Sequence, residues 1–236
     1  MHEIKEYGDQ ALIVIFGDII SPKFNDLVII LDEQIKLVKG VHYTIPAYSS
    51  LTIVYDRAQT TKNKLGAKIE AIISSPREIL EANKRKINVP VCYHPSFAID
   101  IEGVMAYTKC SHEEIITLHS STCYRVYMLG FLPGFPYLGI LNPRLSISRK
   151  KIPTLNIVSG SVGIARQQTG IYPFDSPGGW QIIGRTPLVL FSPNELSPFL
   201  FQSGDEVSFN PISLDDYNLI KEEIHSGHFK IERIYE

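Results

Sequence analysis

The first 86 residues alternate between short β-branched runs and longer stretches in which apolar residues recur at helical spacing. The run Ala11 to Phe16 stops at Gly17, which is typical of a strand that ends in a turn. A helix is predicted next, because Ser21 and Pro22 suit a helix start and apolar residues then recur at three- and four-residue intervals. Two strands and a second helix are predicted after it, over 41–45, 51–55 and 64–73. The order β, α, β, β, α favours a ferredoxin-like α/β sandwich.

After residue 86 the pattern changes to short apolar runs separated by turn residues. A strand is predicted over 87–93, and Ser111 with Glu114 forms a capping box that starts a helix ending at His119. Between Pro133 and Pro211 the frequent Gly, Pro and Ser residues predict a compact β-barrel with tight turns. The apolar runs of this region lie at 124–131, 161–165, 180–183 and 188–191, and a helix and a last strand are predicted over 213–225 and 229–234.

These patterns predict an α+β protein with two domains. The first is the ferredoxin-like α/β sandwich over 1–86, and the second is the β-barrel over 87–236. The boundary is placed between Asn83 and Asn88, where the polar and charged residues separate the two patterns.

Composition and charge narrow the functional classes. Hydrophobic residues make up 44% and charged residues 20% of the chain, as in ordinary globular proteins. A formal net charge of -2 provides no basic surface, so we expect neither nucleic acid nor a membrane as partner. The cysteines Cys92, Cys110 and Cys123 have no C-x-x-C spacing and predict neither a disulfide framework nor a zinc site. The first apolar run is too short for a secretion signal or a membrane span, so we expect a cytoplasmic location.

The most unusual segment is Met128 to Leu138, in which two glycines and two prolines are interleaved with three aromatic residues. Because proline removes a ladder donor and fixes φ, this segment is predicted to be a shaped loop. Two interpretations fit the aromatic residues Phe131, Phe135 and Tyr137. Either they form the floor of a groove for a ring-shaped ligand or a partner's side chain, or they plug one end of the barrel.

Glycine-rich turns between residues 159 and 186 form the second candidate region. Their glycines let the backbone come close to a ligand, and Arg185 offers a fork of donors suited to a carboxylate or phosphate. The alternative is a series of ordinary hairpin turns with Arg185 in a surface ion pair. The candidate groove residues of this region are Gly160, Ser161, Gln168, Thr169, Tyr172, Pro177, Gly178, Gly179 and Trp180.

His119 ends a predicted helix and also has two interpretations. It is either a proton carrier that titrates near neutral pH or a cap that complements the helix dipole. The histidines show no i, i+4 pair beside a carboxylate, so no metal site is predicted. The sequence also contains no Walker phosphate loop, no G-x-S-x-G elbow and no kinase motifs. A nucleotide site would therefore have to be completed by another subunit.

The candidate segments together resemble one family. The chain is similar to the family that contains the B subunit of 5-oxoprolinase, the sporulation-kinase inhibitor KipI and allophanate hydrolase subunit 1. The segments that carry the resemblance are 130–138, 160–165, 168–173, 176–180 and 183–187. It is strongest between His119 and Leu190, and the pattern of elements extends it over essentially the whole chain.

The resemblance implies a cyclophilin-like barrel as the second domain and ATP-dependent cleavage of 5-oxo-L-proline to L-glutamate. It implies two partners, without which the chain is inactive: a larger protein that corresponds to the C subunit of 5-oxoprolinase, and a third protein that corresponds to its A subunit. ATP is then the cofactor, at a site on the partner or shared with it. Arg185, Gln168 and glycine amides would stabilise developing negative charge, and His119 would carry the proton. The alternatives are an inhibitor that binds a sensor histidine kinase and an allophanate hydrolase subunit 1.

Three segments depart from the family pattern, and the smallest change is at Val158 and Ser159, which stand where Pro-Ala is expected. His94 to Phe97 stands where the family tends to have glycines, and Arg166 and Gln167 stand where two glycines are expected. Both changes add bulk, and the second adds it directly beside the predicted ligand-binding turns.

Overall fold

The computed structural model of this protein describes residues 2–75 and 85–235. The chain divides into two compact units between Lys84 and Arg85. The predicted boundary region starts at Asn83, which lies outside the described residues. Helices and sheets occur in both units, which confirms the predicted α+β class. In the described part of the chain, every helix is too short or too polar to cross a lipid bilayer.

The first unit consists of a four-stranded sheet and two helices. All three strand pairs of the sheet are antiparallel, and the order is β1-β2-β4-β3. Its elements are β1 (Glu3–Glu6), β2 (Ala11–Ile15), α1 (Pro22–Ile35), β3 (Val41–Pro46), β4 (Ser50–Tyr55) and α2 (Lys62–Ser74). Strand β1 was not predicted, because its charged residues lack the alternation of a half-buried strand and suit an exposed sheet edge.

The apolar faces of the two helices explain why this unit folds. Alternate residues of the inner strands point to one side of the sheet, where Leu12 and Leu51 are fully buried. Leu31 of α1 and Leu65 of α2 are buried in the same cluster. Pro22 occupies the first turn of α1 as predicted, but the Ser21 side chain makes no capping hydrogen bond. Helix α2 begins at Lys62, two residues before its predicted start, and the Thr61 side chain accepts a hydrogen bond from the Lys64 backbone N–H.

The second unit is built around a seven-stranded sheet in the order β12-β9-β10-β7-β6-β13-β5, with a separate β8–β11 pair. Its strands are β5 (Lys86–Val91), β6 (Tyr124–Leu129), β7 (Pro136–Gly139), β8 (Thr154–Ile157), β9 (Ser161–Ala165), β10 (Gln168–Ile171), β11 (Ser176–Gly178), β12 (Gln181–Arg185) and β13 (Glu206–Pro211). Its helices are α3 (Ile101–Thr108), α4 (His112–Ser120) and α5 (Leu214–His225).

Backbone hydrogen bonds bring the two edges of this sheet together. Cys92, directly after β5, and Arg185, at the end of β12, exchange two N–H to O bonds, both 2.9 Å long. The sheet therefore closes into a barrel, as the turn-rich sequence predicted. Large apolar residues such as Tyr124 and Ile164 fill its core.

Three local features of this unit differ from what the sequence predicted. The last strand, over 229–234, is instead a short 3-10 helix, Ile231–Ile234. The apolar run 188–191 forms only an isolated bridge between Phe191 and Phe199, because the prolines at 187, 193 and 198 limit ladder pairing. Helix α3 was missed, since Gly103 lies inside it and its first turn lacks a side-chain cap.

Arg166 holds a backbone conformation that favours glycine. It lies in the two-residue turn between β9 and β10 with φ at 53°, the left-handed region in which a side chain costs about 1–2 kcal/mol. Replacing Arg166 with glycine removes this cost but also makes the unfolded chain more flexible, which opposes folding. The net result should be a rise of about 0.5–1 kcal/mol in the free energy of unfolding. Urea unfolding followed by the fluorescence of Trp180 measures this. Gln167→Gly is the matched control and should be destabilising, so a stabilising control or a destabilising Arg166→Gly would contradict the explanation.

Candidate functional site

Aromatic residues and a glycine turn line a cleft of about 260 Å³ on the second unit. Eight of the predicted groove residues line it: Phe131, Phe135, Tyr137, Tyr172, Pro177, Gly178, Gly179 and Trp180. They come from the loop before β7, from β7 itself, from the residue after β10, from β11 and from the turn between β11 and β12. Segments that are far apart in sequence are brought together because β7 and β10 are neighbours in the barrel.

Ring packing around Phe135 shapes the floor of the cleft. Its ring centre lies 5.1 Å from that of Tyr172 and 5.4 Å from that of Trp180, both with nearly perpendicular ring planes. Tyr137 packs at 5.0 Å, and Phe131 at 5.7 Å. Such edge-to-face contacts hold large rings in fixed orientations. The rings therefore pack on one another as a small apolar cluster, and their outer edges line the cleft. Their predicted role as the floor of a ligand or partner groove stays a prediction.

Gly178 and Gly179 have different structural roles. A Cβ atom on Gly178 would come within 2.3 Å of the Tyr172 hydroxyl oxygen, so only glycine lets that ring lie against the turn. A Cβ atom on Gly179 would find its nearest neighbour at 3.7 Å, which is ordinary contact. Packing therefore requires the first glycine, whereas the second position can accept a small side chain without a clash.

Arg149 is the cleft residue of greatest chemical interest that the sequence analysis missed. Its guanidinium carbon lies 5.9 Å from the centre of the Trp180 ring, within range of a cation–π interaction. Pro153 from the same segment also lines the cleft. In the sequence, the basic run 149–151 resembles an ordinary solvated turn. Only the structure shows that Arg149 lies next to Trp180 and lines the cleft.

The two tyrosine phenols of the cleft stay protonated at neutral pH. Burial raises the pKa of Tyr137, and the positive charge of Arg149 offsets part of that effect. Burial likewise raises the pKa of Tyr172. A hydrogen bond from the Trp180 backbone and the positive charge of Arg149 lower it by a smaller amount. The half-buried Tyr137 is therefore a hydrogen-bond donor suited to a carbonyl or carboxylate oxygen.

His119 is not in the cleft, so its predicted role as a proton carrier there needs correction. Its side chain is completely buried in the barrel core. Its Nδ1 atom lies 2.7 Å from the Tyr93 hydroxyl, its Nε2 atom lies 2.9 Å from the Thr169 hydroxyl, and its ring stacks on Phe209. Burial lowers the pKa of His119 to about 3, so the ring stays neutral at physiological pH. The same contacts place Thr169 in the core and away from the groove.

Arg185 also lies outside the cleft lining. Its guanidinium carbon is 4.8 Å from the centre of the Phe97 ring, at the position where the barrel closes. Burial raises the pKa of Tyr217, and the positive charge of Arg185 and its hydrogen bond to the phenol offset part of that effect. Arg185 is therefore separate from the aromatic cleft, and its predicted role beside the glycine turns stays a prediction.

The remaining predicted site residues lie next to Arg185 or in the wall of the barrel. Gly160 lies beside it, since a Cβ atom there would come within 2.3 Å of the Thr186 carbonyl oxygen and 3.3 Å of the Arg185 side chain. Ser161 pairs with Arg185 across the ladder and is buried. Gln168 is half-buried opposite Gly139. The predicted site residues thus separate into a cleft group and a group that packs the barrel.

A second cleft of about 310 Å³ lies elsewhere on the same unit, next to Arg85 and Phe199. The Arg85 side chain is already held by Asp205 and by the Leu200 carbonyl. The Arg85 guanidinium is therefore bound within the protein, whereas Arg149 lines the aromatic cleft. Among the described residues no cluster of His, Cys, Asp and Glu is arranged to hold a metal ion.

The chain is similar to known proteins over most of its length. The sequence model of the family described as carboxyltransferase domain, subdomain C and D, matches residues 2–201. The chain is 40% identical to the B subunit of 5-oxoprolinase from Bacillus subtilis, over 94% of this chain and 98% of that protein. It is 29% identical to urea amidolyase of Lachancea kluyveri, over 80% of this chain and 11% of that protein.

A solved structure has the same fold. The crystal structure of TTHA0988 matches with a TM-score of 0.78 and 32% identity, over 86% of this chain and 40% of that one. The chain therefore spans less than half the length of this structural relative, as it spans a small part of the urea amidolyase.

Proposed function

Because the chain belongs to the family of carboxyltransferase subdomains C and D, and within it to the group of 5-oxoprolinase B subunits, we propose that it is one component of an ATP-dependent 5-oxoprolinase. The observation that carries the proposal is the 40% identity over nearly the full length of both chains. The proposed reaction opens the lactam ring of 5-oxo-L-proline to give L-glutamate, together with a third protein and a larger subunit.

The aromatic cleft is the proposed binding site for the lactam. The half-buried Tyr137 ring and the edge of the nearly buried Trp180 ring provide apolar surface for a five-membered ring, and Arg149 provides donors for an oxygen of the ligand. Closure of the cleft by the larger subunit would exclude water and strengthen these polar contacts. ATP would supply the phosphoryl group that makes the unreactive lactam carbonyl a good electrophile. Water would then open the ring, and the phosphoryl group would leave as inorganic phosphate.

The size of the cleft bears on where the nucleotide binds. A volume of about 260 Å³ suits a small ring and is below the usual range of about 300–1,000 Å³ for drug-sized ligands. The sequence also lacks a Walker loop. Both points favour a nucleotide site on the larger subunit, or shared with it, over one contained in this cleft.

An allophanate or urea substrate is the second candidate function. The match to urea amidolyase favours it, since that relative aligns over 80% of this chain. The substrates differ in shape, because urea derivatives are open-chain molecules whereas the aromatic walls of the cleft suit a ring.

The function is tested by purifying the chain with its two proposed partners and measuring ADP release and glutamate formation. We expect ADP release that depends on 5-oxoproline and matches glutamate formation, and no turnover by this chain alone. Turnover with allophanate or urea and none with 5-oxoproline would favour the second candidate. Binding to a sensor histidine kinase without any turnover would favour the regulatory role.

A further inference from the structure

The backbone next to Arg149 is tied to the glycine turn of the cleft. The Lys150 backbone N–H donates to the Gly179 carbonyl oxygen over 2.7 Å, and the Arg149 guanidinium lies over the Trp180 ring. Two contacts therefore hold an otherwise exposed arginine at the rim of the cleft. Such preorganisation reduces the entropy that a long side chain loses when it binds a ligand.

Of the two basic residues Arg149 and Lys150, only Arg149 lines the cleft, and Lys150 forms an ion pair with Asp100. The Lys150 ammonium lies 2.5 Å from a carboxylate oxygen of Asp100 and donates to the Thr154 hydroxyl over 2.7 Å. Asp100 also accepts a hydrogen bond from the Ile182 backbone, so this ion pair belongs to the barrel structure. Arg149 is the one charged residue among the described residues that line the cleft. The site is thus matched to a ligand with a single negative charge.

We propose that Arg149 is a specificity-determining residue that binds the carboxylate of a small cyclic acid whose ring lies against Trp180 and Tyr137. The planar guanidinium fork suits the two oxygens of a carboxylate. The apolar ring surface that lines the cleft suits a ring, and the volume of about 260 Å³ suits a small acid better than a nucleotide. The inference rests on the proposed function for the identity of the acid, and on the cleft geometry for the carboxylate.

Recognition of a carboxylate has a measurable consequence. A hydrogen bond to a charged group contributes about 1.5–3 kcal/mol, which corresponds to roughly 10- to 100-fold in affinity. The cleft should therefore prefer 5-oxoproline over 5-oxoprolinamide, in which a neutral amide replaces the carboxylate, by about this factor. The ring is the same in both compounds, so the comparison isolates the charge.

Trp180 allows this binding to be measured directly, because it is the single tryptophan of the chain. The full-length chain is titrated with 5-oxoproline and with 5-oxoprolinamide while tryptophan fluorescence is recorded. The variants are Arg149→Gln, which removes the charge, and Arg149→Lys, which keeps the charge and removes the fork. Lys151→Gln is the matched control, since it removes the same charge from an exposed neighbour that does not line the cleft.

We expect a saturable response of the wild-type protein to the acid, weakened roughly 10- to 100-fold in Arg149→Gln and changed little in the control. Arg149→Lys should lie between them. Equal affinities for the acid and the amide, an unaffected Arg149→Gln, or no response to the acid would each overturn the inference. Turnover measurements on the assembled enzyme distinguish failure of this inference from failure of the proposed function. Turnover with an unchanged KM in Arg149→Gln contradicts only the inference, whereas charge-dependent binding without turnover contradicts only the function.

Discussion

Replacing His119 with leucine is expected to lower the free energy of unfolding by about 2–5 kcal/mol, one of the two largest effects that the structure predicts. The imidazole joins the Tyr93 and Thr169 hydroxyls inside the barrel core, and leucine would leave the Tyr93 hydroxyl buried without its partner. Thr169 retains a hydrogen bond to the Gly163 carbonyl. Urea unfolding measures the change. His119→Gln, which retains a polar group, should lose less, and an unchanged midpoint for His119→Leu would contradict the structural role.

The pH dependence of stability provides a second test of the same residue. The pKa of His119 is lowered from 6.5 to about 3 in the folded protein, because burial disfavours the charged ring. Below pH 6.5 the unfolded chain binds a proton that the folded chain does not, so wild-type stability falls by about 1.4 kcal/mol per pH unit towards pH 3. Above pH 6.5 this contribution to the pH dependence vanishes.

His119→Leu lacks this proton, so the stability difference between wild type and variant should shrink by about 2 kcal/mol between pH 7 and pH 5. A difference that stays constant over this range would mean that the histidine titrates similarly in the folded and unfolded states. That outcome would also reopen its assignment as a proton carrier.

Replacing Gly178 with alanine is expected to lower kcat/KM for 5-oxoproline by up to about 100-fold, because displacement of a binding group by about 1 Å has effects of this size. The added methyl group would come within 2.3 Å of the Tyr172 hydroxyl oxygen and 2.7 Å of the Ile157 side chain. Tyr172 is buried against Phe135, so the ring cannot move without disturbing the cleft floor. Overpacking should also reduce the free energy of unfolding by about 1–3 kcal/mol.

Gly179→Ala is the matched control for this substitution. Its methyl group meets nothing closer than 3.7 Å, so stability should change by less than about 1 kcal/mol. Steady-state ADP release by the assembled enzyme and urea unfolding are measured for both variants. Equal losses in the two variants, or full activity of Gly178→Ala, would show that the approach of Tyr172 to the turn does not matter for catalysis.

Much of the fold could be predicted from the sequence, since local patterns determine it. Helices α1 and α2 were predicted within a few residues, because both have regular apolar spacing and Pro22 marks the start of α1. The barrel followed from the density of turn residues. Strand β1 and helix α3 were missed because charged edge strands and helices interrupted by glycine lack a periodic pattern. Their formation depends on tertiary packing, which a single sequence does not display.

The candidate site was predictable in part. The Pro-Gly loop and the turn around Gly178 indicated that aromatic residues and glycines would meet, and the cleft contains both. The directions of His119 and Arg185 were not predictable, because a polar residue at the end of an element can face the core, the barrel seam or a cleft. Arg149 was missed because no motif includes it, and its contact with Trp180 exists only after the barrel has closed.

The central claim is that the aromatic cleft of this protein binds the substrate of the assembled enzyme, and chemical blocking tests it most directly. Gly179→Cys introduces a thiol at a position with space for it, in a Cys123→Ser background because Cys123 is exposed whereas Cys92 and Cys110 are buried. Turnover is compared before and after alkylation of the same protein with N-ethylmaleimide, with the alkylated background protein as control. The account predicts that alkylation of the Gly179→Cys enzyme removes most of its 5-oxoproline-dependent ATP hydrolysis, by about tenfold or more, with no such loss in the control. Equal turnover of the alkylated and unmodified enzyme, with labelling complete, would contradict it.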